Sequence, residues 1–199
     1  MKGFYSLFSD SAQELKSIRT LTVTGMMMAL ALVLRSLAIQ VTPDIRISFA
    51  FLPIIVIAML YGPVVGGMSS VAVDFLGYII SDAKIREYSL LLACVHIIAG
   101  IIYGLFLYRK EINFKRIIFS RVVVVFICDF ILTSVIIYLQ YVNKNFNFGS
   151  VSDLHDFGIW LVPRLIKSVA QLPLDIILIS VIIPNIIQAY KKVRGHYIG

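Results

Sequence analysis

The sequence predicts an all-α membrane protein, a bundle of six transmembrane helices preceded by a short amphipathic helix. Of its 199 residues, 59% are hydrophobic and only 15% are charged, whereas soluble domains average about 45–50% apolar and about 25% charged residues. Apolar runs recur along the chain at lengths close to the roughly 20 residues that a helix needs to cross a bilayer. We interpret residues 1–199 as a single transmembrane domain.

The N-terminal segment, residues 4–19, predicts a helix that lies on the membrane surface. Phe4, Phe8, Ala12, Leu15 and Ile18 recur every three or four residues, and the polar side chains fall between them. This period places the apolar side chains on one face of a helix. The segment lacks the basic start and unbroken apolar core of a signal peptide.

Six apolar segments follow the surface helix. They cover residues 21–39, 47–61, 64–80, 90–108, 117–141 and 160–187. Only Gly62-Pro63 separates the second span from the third, and because such a pair stops a helix and turns the chain, these two spans are predicted to be antiparallel neighbours. Gly25 and Ala29 on the first span form a small-residue face that permits close approach of another helix, either in a partner or within the bundle.

Lysine and arginine counts place both termini in the cytoplasm. With six spans, both termini lie on one side, and eleven basic residues, including Arg121, then fall on that side. The outer loops hold four: Arg46, Lys84, Arg86 and Lys144.

Six charged residues lie within the predicted spans and need partners or water. Each costs about 2.5–3.5 kcal/mol in hydrocarbon, and six facing lipid would cost on the order of 15 kcal/mol. We therefore expect a pocket that opens outward, with carboxylates at its floor and cations at its mouth. The alternative is structural pairing within the bundle, such as Arg35 with Asp129. The six are Arg35, Asp74, Asp129, Arg164, Lys167 and Asp175.

Aromatic side chains near the outer ends of the spans, Tyr78 and Trp160, suit either of two roles. They are typical interface aromatics, and they could equally stack on a flat ring of a ligand.

The sequence motifs of several enzyme classes are absent from this chain. There is no G-x-x-x-x-G-K-[ST] loop for ATP, no H-E-x-x-H metal site and no G-x-S-x-G nucleophile elbow. We expect no catalytic residues, no metal and no cofactor. An intramembrane aspartyl protease using Asp74 and Asp129 is a competing hypothesis, but the VAVDFLG context of Asp74 lacks a G-x-G-D signature. A third hypothesis is a small membrane scaffold of MreD type.

The chain resembles the substrate-binding S component of energy-coupling factor (ECF) vitamin importers, and within them the folate family. The resemblance covers most of the chain and depends on the order of seven segments. They are SAQELKSIR, GMMMALALVL, RISFAFLP, MLYGPVVGG, VDFLG, IIYGLFLYRK and LVPRLIKSVAQLP.

The resemblance implies a function and a set of partners. It implies a multi-pass protein of the bacterial cell membrane, with a vitamin pocket near the outer face, that docks through the first span, at Gly25 and Ala29, onto a membrane coupling subunit. That subunit carries two ABC-type ATPases, which use the ATP. The outer loops, residues 40–46, 81–89 and 142–159, are implied to close over the vitamin.

Folate also matches the charges in the spans. Its pterin offers an amide N–H and an amine to a carboxylate, Asp74 or Asp129, with Asp74 preferred. Its dianionic glutamate suits the outer cations, and its rings suit the aromatic pair Tyr78 and Trp160. Another anionic vitamin, such as pantothenate, would use the cations and leave the carboxylates idle. The outer cations are Arg35, Arg46, Arg164 and Lys167.

Overall fold

A computed structural model describes the backbone of residues 2–42, 45–82, 88–110, 113–142 and 151–196. The elements in chain order are α1 (Lys2–Glu14), α2 (Ile18–Ser36), β1 (Ile39–Thr42), β2 (Ile45–Ile47), α3 (Phe51–Gly77), α4 (Leu90–Leu107), α5 (Phe114–Val124), α6 (Thr133–Ile137) and α7 (Val151–His196). Wider π-helical turns extend α3 over Tyr78–Asp82, join α5 to α6 over Val125–Leu132 and extend α6 over Tyr138–Val142.

Within these residues, five helical stretches are long and apolar enough to cross a membrane. One of them, α3, reverses direction at Gly62, which has φ 90° and ψ −172°. A Cβ placed on Gly66 would lie 2.8 Å from Cβ of Ala58, although eight residues of continuous helix span about 12 Å. The two arms of α3, residues 51–61 and 63–77, are therefore antiparallel neighbours, as predicted. The prediction of an all-α membrane protein with a six-helix bundle is confirmed.

Helix α1 packs against the turn of α3 through one buried hydroxyl. Ser11 Oγ donates to the carbonyl of Tyr61 at 2.7 Å and accepts from the backbone N–H groups of Val64 and Val65 at 3.0 and 3.3 Å. The last two are N–H groups that the start of a helix leaves without a partner, so Ser11 caps the second arm from another helix. The helix predicted at residues 4–19 is shorter in the structure, because α1 ends at Glu14 and Ile18 already begins α2. Its location on the membrane surface stays a prediction.

The second arm of α3 and α4 approach each other closely through glycines. A Cβ on Gly66 would lie 2.9 Å from the carbonyl oxygen of Gly100, and a Cβ on Gly104 would overlap the backbone of Pro63. These contacts set the register: Pro63 lies beside Gly104 and Gly66 lies beside Gly100. Asp74 lies about 16 Å beyond Pro63 on the same arm. Small residues thus bring the two walls of the bundle together where the cavity described below begins.

Some predicted boundaries differ from the structure. In the region predicted as the outer loop 40–46, β1 and β2 pair in antiparallel fashion, with Gln40 opposite Arg46. The last span, predicted as 160–187, belongs to the longer helix α7, which already begins at Val151. Residues 83–87 and 143–150 of the other two outer loops lie outside the described residues. The interpretation of residues 1–199 as one domain stays a prediction.

Candidate ligand-binding site

An elongated cavity of about 380 Å³ lies between the helices of the bundle. One face of α4 follows its length, because the lining residues on this side recur every three or four positions. The first of these residues, Ser89, and the last, Tyr103, are 14 positions apart, which corresponds to about 21 Å of helix. These residues are Ser89, Leu92, His96, Ala99 and Tyr103.

An ion-pair cluster that we call the floor lies at one end of the cavity: Tyr103, Arg121, Asp129 and Asp175, of which the first three line the cavity. Nε and Nη2 of Arg121 donate to Oδ2 of Asp175 at 2.9 and 2.8 Å, and Nη1 donates to the hydroxyl of Tyr103 at 3.0 Å. The side chains of Arg121 and Asp175 are only 6% and 1% exposed. The guanidinium also lies 4.0 Å from the centre of the Phe51 ring. A buried arginine held this way is a rigid part of the bundle.

This arrangement corrects the sequence-based topology, which counted Arg121 among the cytoplasmic residues. Arg121 lies seven residues into α5 and points into the bundle. Arg121 was counted with the cytoplasmic residues although it lies inside the span predicted as 117–141, five residues after the basic loop 109–116. The apolar run VVVVF, which directly follows Arg121, was the signal in the sequence that indicated a buried position for this arginine.

Asp129 is the carboxylate of the floor that is most open to the cavity. Its side chain is 49% exposed, and its Oδ2 lies 3.8 Å from Nη1 of Arg121. It also interacts electrostatically with Lys167 on α7. Since Asp175 already occupies one side of the guanidinium, Asp129 keeps acceptor positions available for a ligand.

A second cluster, centred on Asp74, lines the wall above the floor. Nη1 of Arg35 lies 3.1 Å from Oδ1 of Asp74, and Nε2 of His96 lies 3.3 Å from the same oxygen. The alternative pairing of Arg35 with Asp129 is therefore wrong. The Tyr88 hydroxyl is hydrogen-bonded to Asp74, and burial, followed by the charge of Asp74, raises the pKa of this hydroxyl. Tyr88 consequently stays protonated and acts as the donor. The Asp74 side chain is only 9% exposed, so little of it is open to a ligand.

Helix α7 contributes cations from the opposite wall. Arg164, Lys167 and Gln171 share one helix face and all line the cavity. Lys167 lies eight residues, about 12 Å, before Asp175 of the floor. Among the described residues, no carboxylate lies within ion-pair distance of Lys167.

Trp160 lies outside the lining of the cavity. Its ring is 4.1 Å from the guanidinium carbon of Arg164 and 5.2 Å from the ring of Tyr138. The indole face that was expected to stack on a ligand ring is thus engaged by a cation, an interaction that holds Arg164 in place.

Six of the eight predicted binding residues line the cavity: Arg35, Asp74, Tyr78, Asp129, Arg164 and Lys167. Trp160 supports Arg164 instead, and the side chain of Arg46 lies outside the described residues. Sequence reasoning did not single out Tyr103 and Arg121, because neither a lone tyrosine nor an arginine near a loop has a distinctive pattern.

The charges are divided unequally along the cavity. The floor cluster holds one cation and two carboxylates, a net charge of −1, in which Asp175 is counted although it is buried and does not itself line the cavity. The upper cluster, which we define as Arg35, Asp74, Arg164 and Lys167, holds three cations and one carboxylate, a net charge of +2. The cavity therefore suits an elongated ligand with hydrogen-bond donors at one end and a double negative charge at the other.

Comparisons with known proteins agree with this architecture. The family model "ECF transporter, substrate-specific component" matches residues 19–183. A curated relative, the folate transporter FolT of Clostridium novyi (strain NT), is 27% identical over 166 residues, which cover 83% of this chain and 88% of the relative. A crystal structure of FolT bound with folic acid matches with a TM-score of 0.65 and 30% identity, covering 80% of this chain and 88% of the other.

Proposed function

Because this chain belongs to the substrate-specific components of ECF transporters, we propose that it captures folate for uptake into the cell. The observation that carries the proposal is the elongated cavity with its divided charges, in a chain similar to a FolT that was solved with folic acid. Members of this family are substrate-specific components of transporters, and we propose no enzymatic activity for this chain.

Folate fits the cavity at both ends. The pterin N–H and amine groups pair with the open carboxylate of Asp129 at the floor. The two glutamate carboxylates lie among the cations Arg35, Arg164 and Lys167, which form charge-assisted hydrogen bonds with them. An extended folate is about as long as half the ~30 Å hydrocarbon thickness, and the α4 face of about 21 Å accommodates it.

Asp74 keeps a role in this site, but a different one from the pterin contact expected from the sequence. Arg35, His96 and Tyr88 surround its carboxylate, whereas Asp129 is half exposed. We therefore assign the pterin edge to Asp129. Asp74 positions Arg35 for the glutamate.

The competing functions make less use of this cavity. Pantothenate would engage the cations and leave Asp129 without a partner. A protease would need two carboxylates that share a proton, yet Asp74 and Asp129 are each paired with a different arginine. An MreD-type scaffold has no need of a polar cavity.

The function is tested by measuring the thermal unfolding of the purified chain in detergent with oxidised folate, reduced folate, pteroate and pantothenate, without ATP. A folate at 100 times its Kd adds about 2.7 kcal/mol of stability. We expect both folates to raise Tm and pantothenate to leave it unchanged. A rise with pantothenate alone would contradict the assignment.

The partners are proposed from the family: a membrane coupling subunit and two ABC-type ATPases that supply the energy. Helix α2 has an open face that suits docking, since a Cβ on Gly25 would meet no atom within 4 Å and Ala29 is exposed. The apolar side chains of Met26, Leu30 and Val33 share this exposure.

Replacing Gly25 or Ala29 by leucine is expected to prevent assembly with the coupling subunit and leave folate binding by the isolated chain unchanged. The added bulk blocks close helix approach but meets nothing within this chain. Co-purification of the complex and a binding titration measure the two effects. Ala170→Leu, on the exposed side of α7, is the control. Loss of binding with assembly intact would show that α2 packs internally.

Both termini are proposed to be cytoplasmic. With Arg121 moved into the bundle, ten basic residues remain on the cytoplasmic side against four outside, and this bias still sets the orientation. In a variant without Cys94 and Cys128, a cysteine replacing Lys144 should react with an impermeant maleimide in intact cells. A cysteine replacing Lys115 should react only after permeabilisation, and the reverse pattern would exclude this orientation.

A further inference from the structure

Gly77, the last residue of α3, differs from the other glycines of the bundle in what fills the space beside it. The three nearest atoms to a Cβ placed there all belong to the Arg35 side chain: Nε at 2.5 Å, Cδ at 2.6 Å and Cζ at 2.9 Å. At Gly66, Gly100 and Gly104 the nearest atoms include the backbone of a neighbouring helix or arm. Those glycines bring helices together, whereas Gly77 makes room for one side chain.

The position of Gly77 relates directly to the ion pair in the cavity. Gly77 follows Asp74 by three residues, so the two lie on the same face of α3. The Arg35 side chain comes from α2, passes over Gly77 and reaches Oδ1 of Asp74 at 3.1 Å. The backbone conformation does not require a glycine at position 77, because Gly77 has no positive φ. Among the described glycines, only Gly62 has one.

We infer that Gly77 is a positioning residue for ligand binding, a notch that lets Arg35 place its guanidinium in the cavity. Any side chain at this position displaces the guanidinium. Because an arginine side chain is flexible, the helices need not move, and the change falls on the binding cation. This inference rests on the proposed function for its effect on folate, but the notch itself is testable without ligand.

Gly77→Ala is expected to weaken folate binding about tenfold, the loss that corresponds to about 1.4 kcal/mol. Pteroate, which has no glutamate, should bind the variant as it binds the parent. Gly158→Ala is the matched control, because a Cβ there meets nothing within 4 Å and the gain in helix propensity is the same. Titration calorimetry in detergent measures all three proteins.

A double-mutant cycle separates the notch from ordinary packing. In an Arg35→Gln background, which lacks the displaced guanidinium, Gly77→Ala should cause less than a twofold further loss of folate affinity. Arg35→Met, which also lacks the guanidinium, serves as the second background if Arg35→Gln does not fold. Equal losses by Gly77→Ala in the parent and in these backgrounds would overturn the inference.

The same cycle is measured as Tm without vitamin. Non-additive Tm values in a chain that binds no folate would support the notch and refute the proposed function. If the chain binds folate but the two substitutions have additive effects on both the folate affinity and Tm, the proposed function would be supported and the notch refuted.

Discussion

Arg121→Met is expected to lower the free energy of unfolding by about 3–5 kcal/mol, because it leaves the buried carboxylate of Asp175 without a counter-ion. The pair is nearly inaccessible to solvent, with side-chain exposures of 6% and 1%. The substitution also removes the donor to Tyr103 and the cation above Phe51. Thermal unfolding in detergent measures the loss.

Two further variants test whether the loss comes from the stranded charge. Arg121→Met combined with Asp175→Leu should recover much of the stability, since replacing a whole buried ion pair by apolar side chains is often neutral. Asp10→Asn breaks the more exposed pair with Arg109 and should cost less than about 1 kcal/mol. If Arg121→Met and Asp10→Asn have the same effect, the floor cluster does not stabilise the bundle.

The second large effect is expected at Asp129. Asp129→Asn should weaken the binding of both folate and pteroate about 100-fold, because the pterin donors lose a charged acceptor, a loss within the range of about 1.5–3 kcal/mol for hydrogen bonds to charged groups. The affinities are measured by titration of the purified chain in detergent.

Variants of the upper cluster should separate the two ends of the ligand. Lys167→Ala should weaken folate binding several-fold and leave pteroate binding unchanged, since only folate carries the glutamate. Asp74→Asn should likewise weaken folate binding and leave pteroate binding unchanged, because it removes the ion-pair partner of Arg35 and removes no contact with the pterin. Equal losses for folate and pteroate in Asp74→Asn would return the pterin edge to Asp74. If Asp129→Asn binds folate like the parent, the proposed orientation is wrong.

Most of the fold was predictable because its signals are local. The span 90–108 coincides with α4 to within a residue, since an apolar run of that length bounded by polar residues has one plausible state. The reversal at Gly62-Pro63 was also predictable, because it depends on two residues. The start of α7 at Val151 could not be predicted. This helix begins before its apolar segment, and hydropathy does not mark where a helix ends outside such a segment.

The sequence by itself determined that this is a membrane bundle and which charges it must shelter, because the cost of a charge in lipid depends only on its position within an apolar run. Tertiary structure decided how those charges pair. Arg35 meets Asp74 across 39 residues and Arg121 meets Asp175 across 54, and no local pattern encodes separations of this size. The notch at Gly77 was equally hidden, because a glycine records that space is needed but not which distant side chain occupies it.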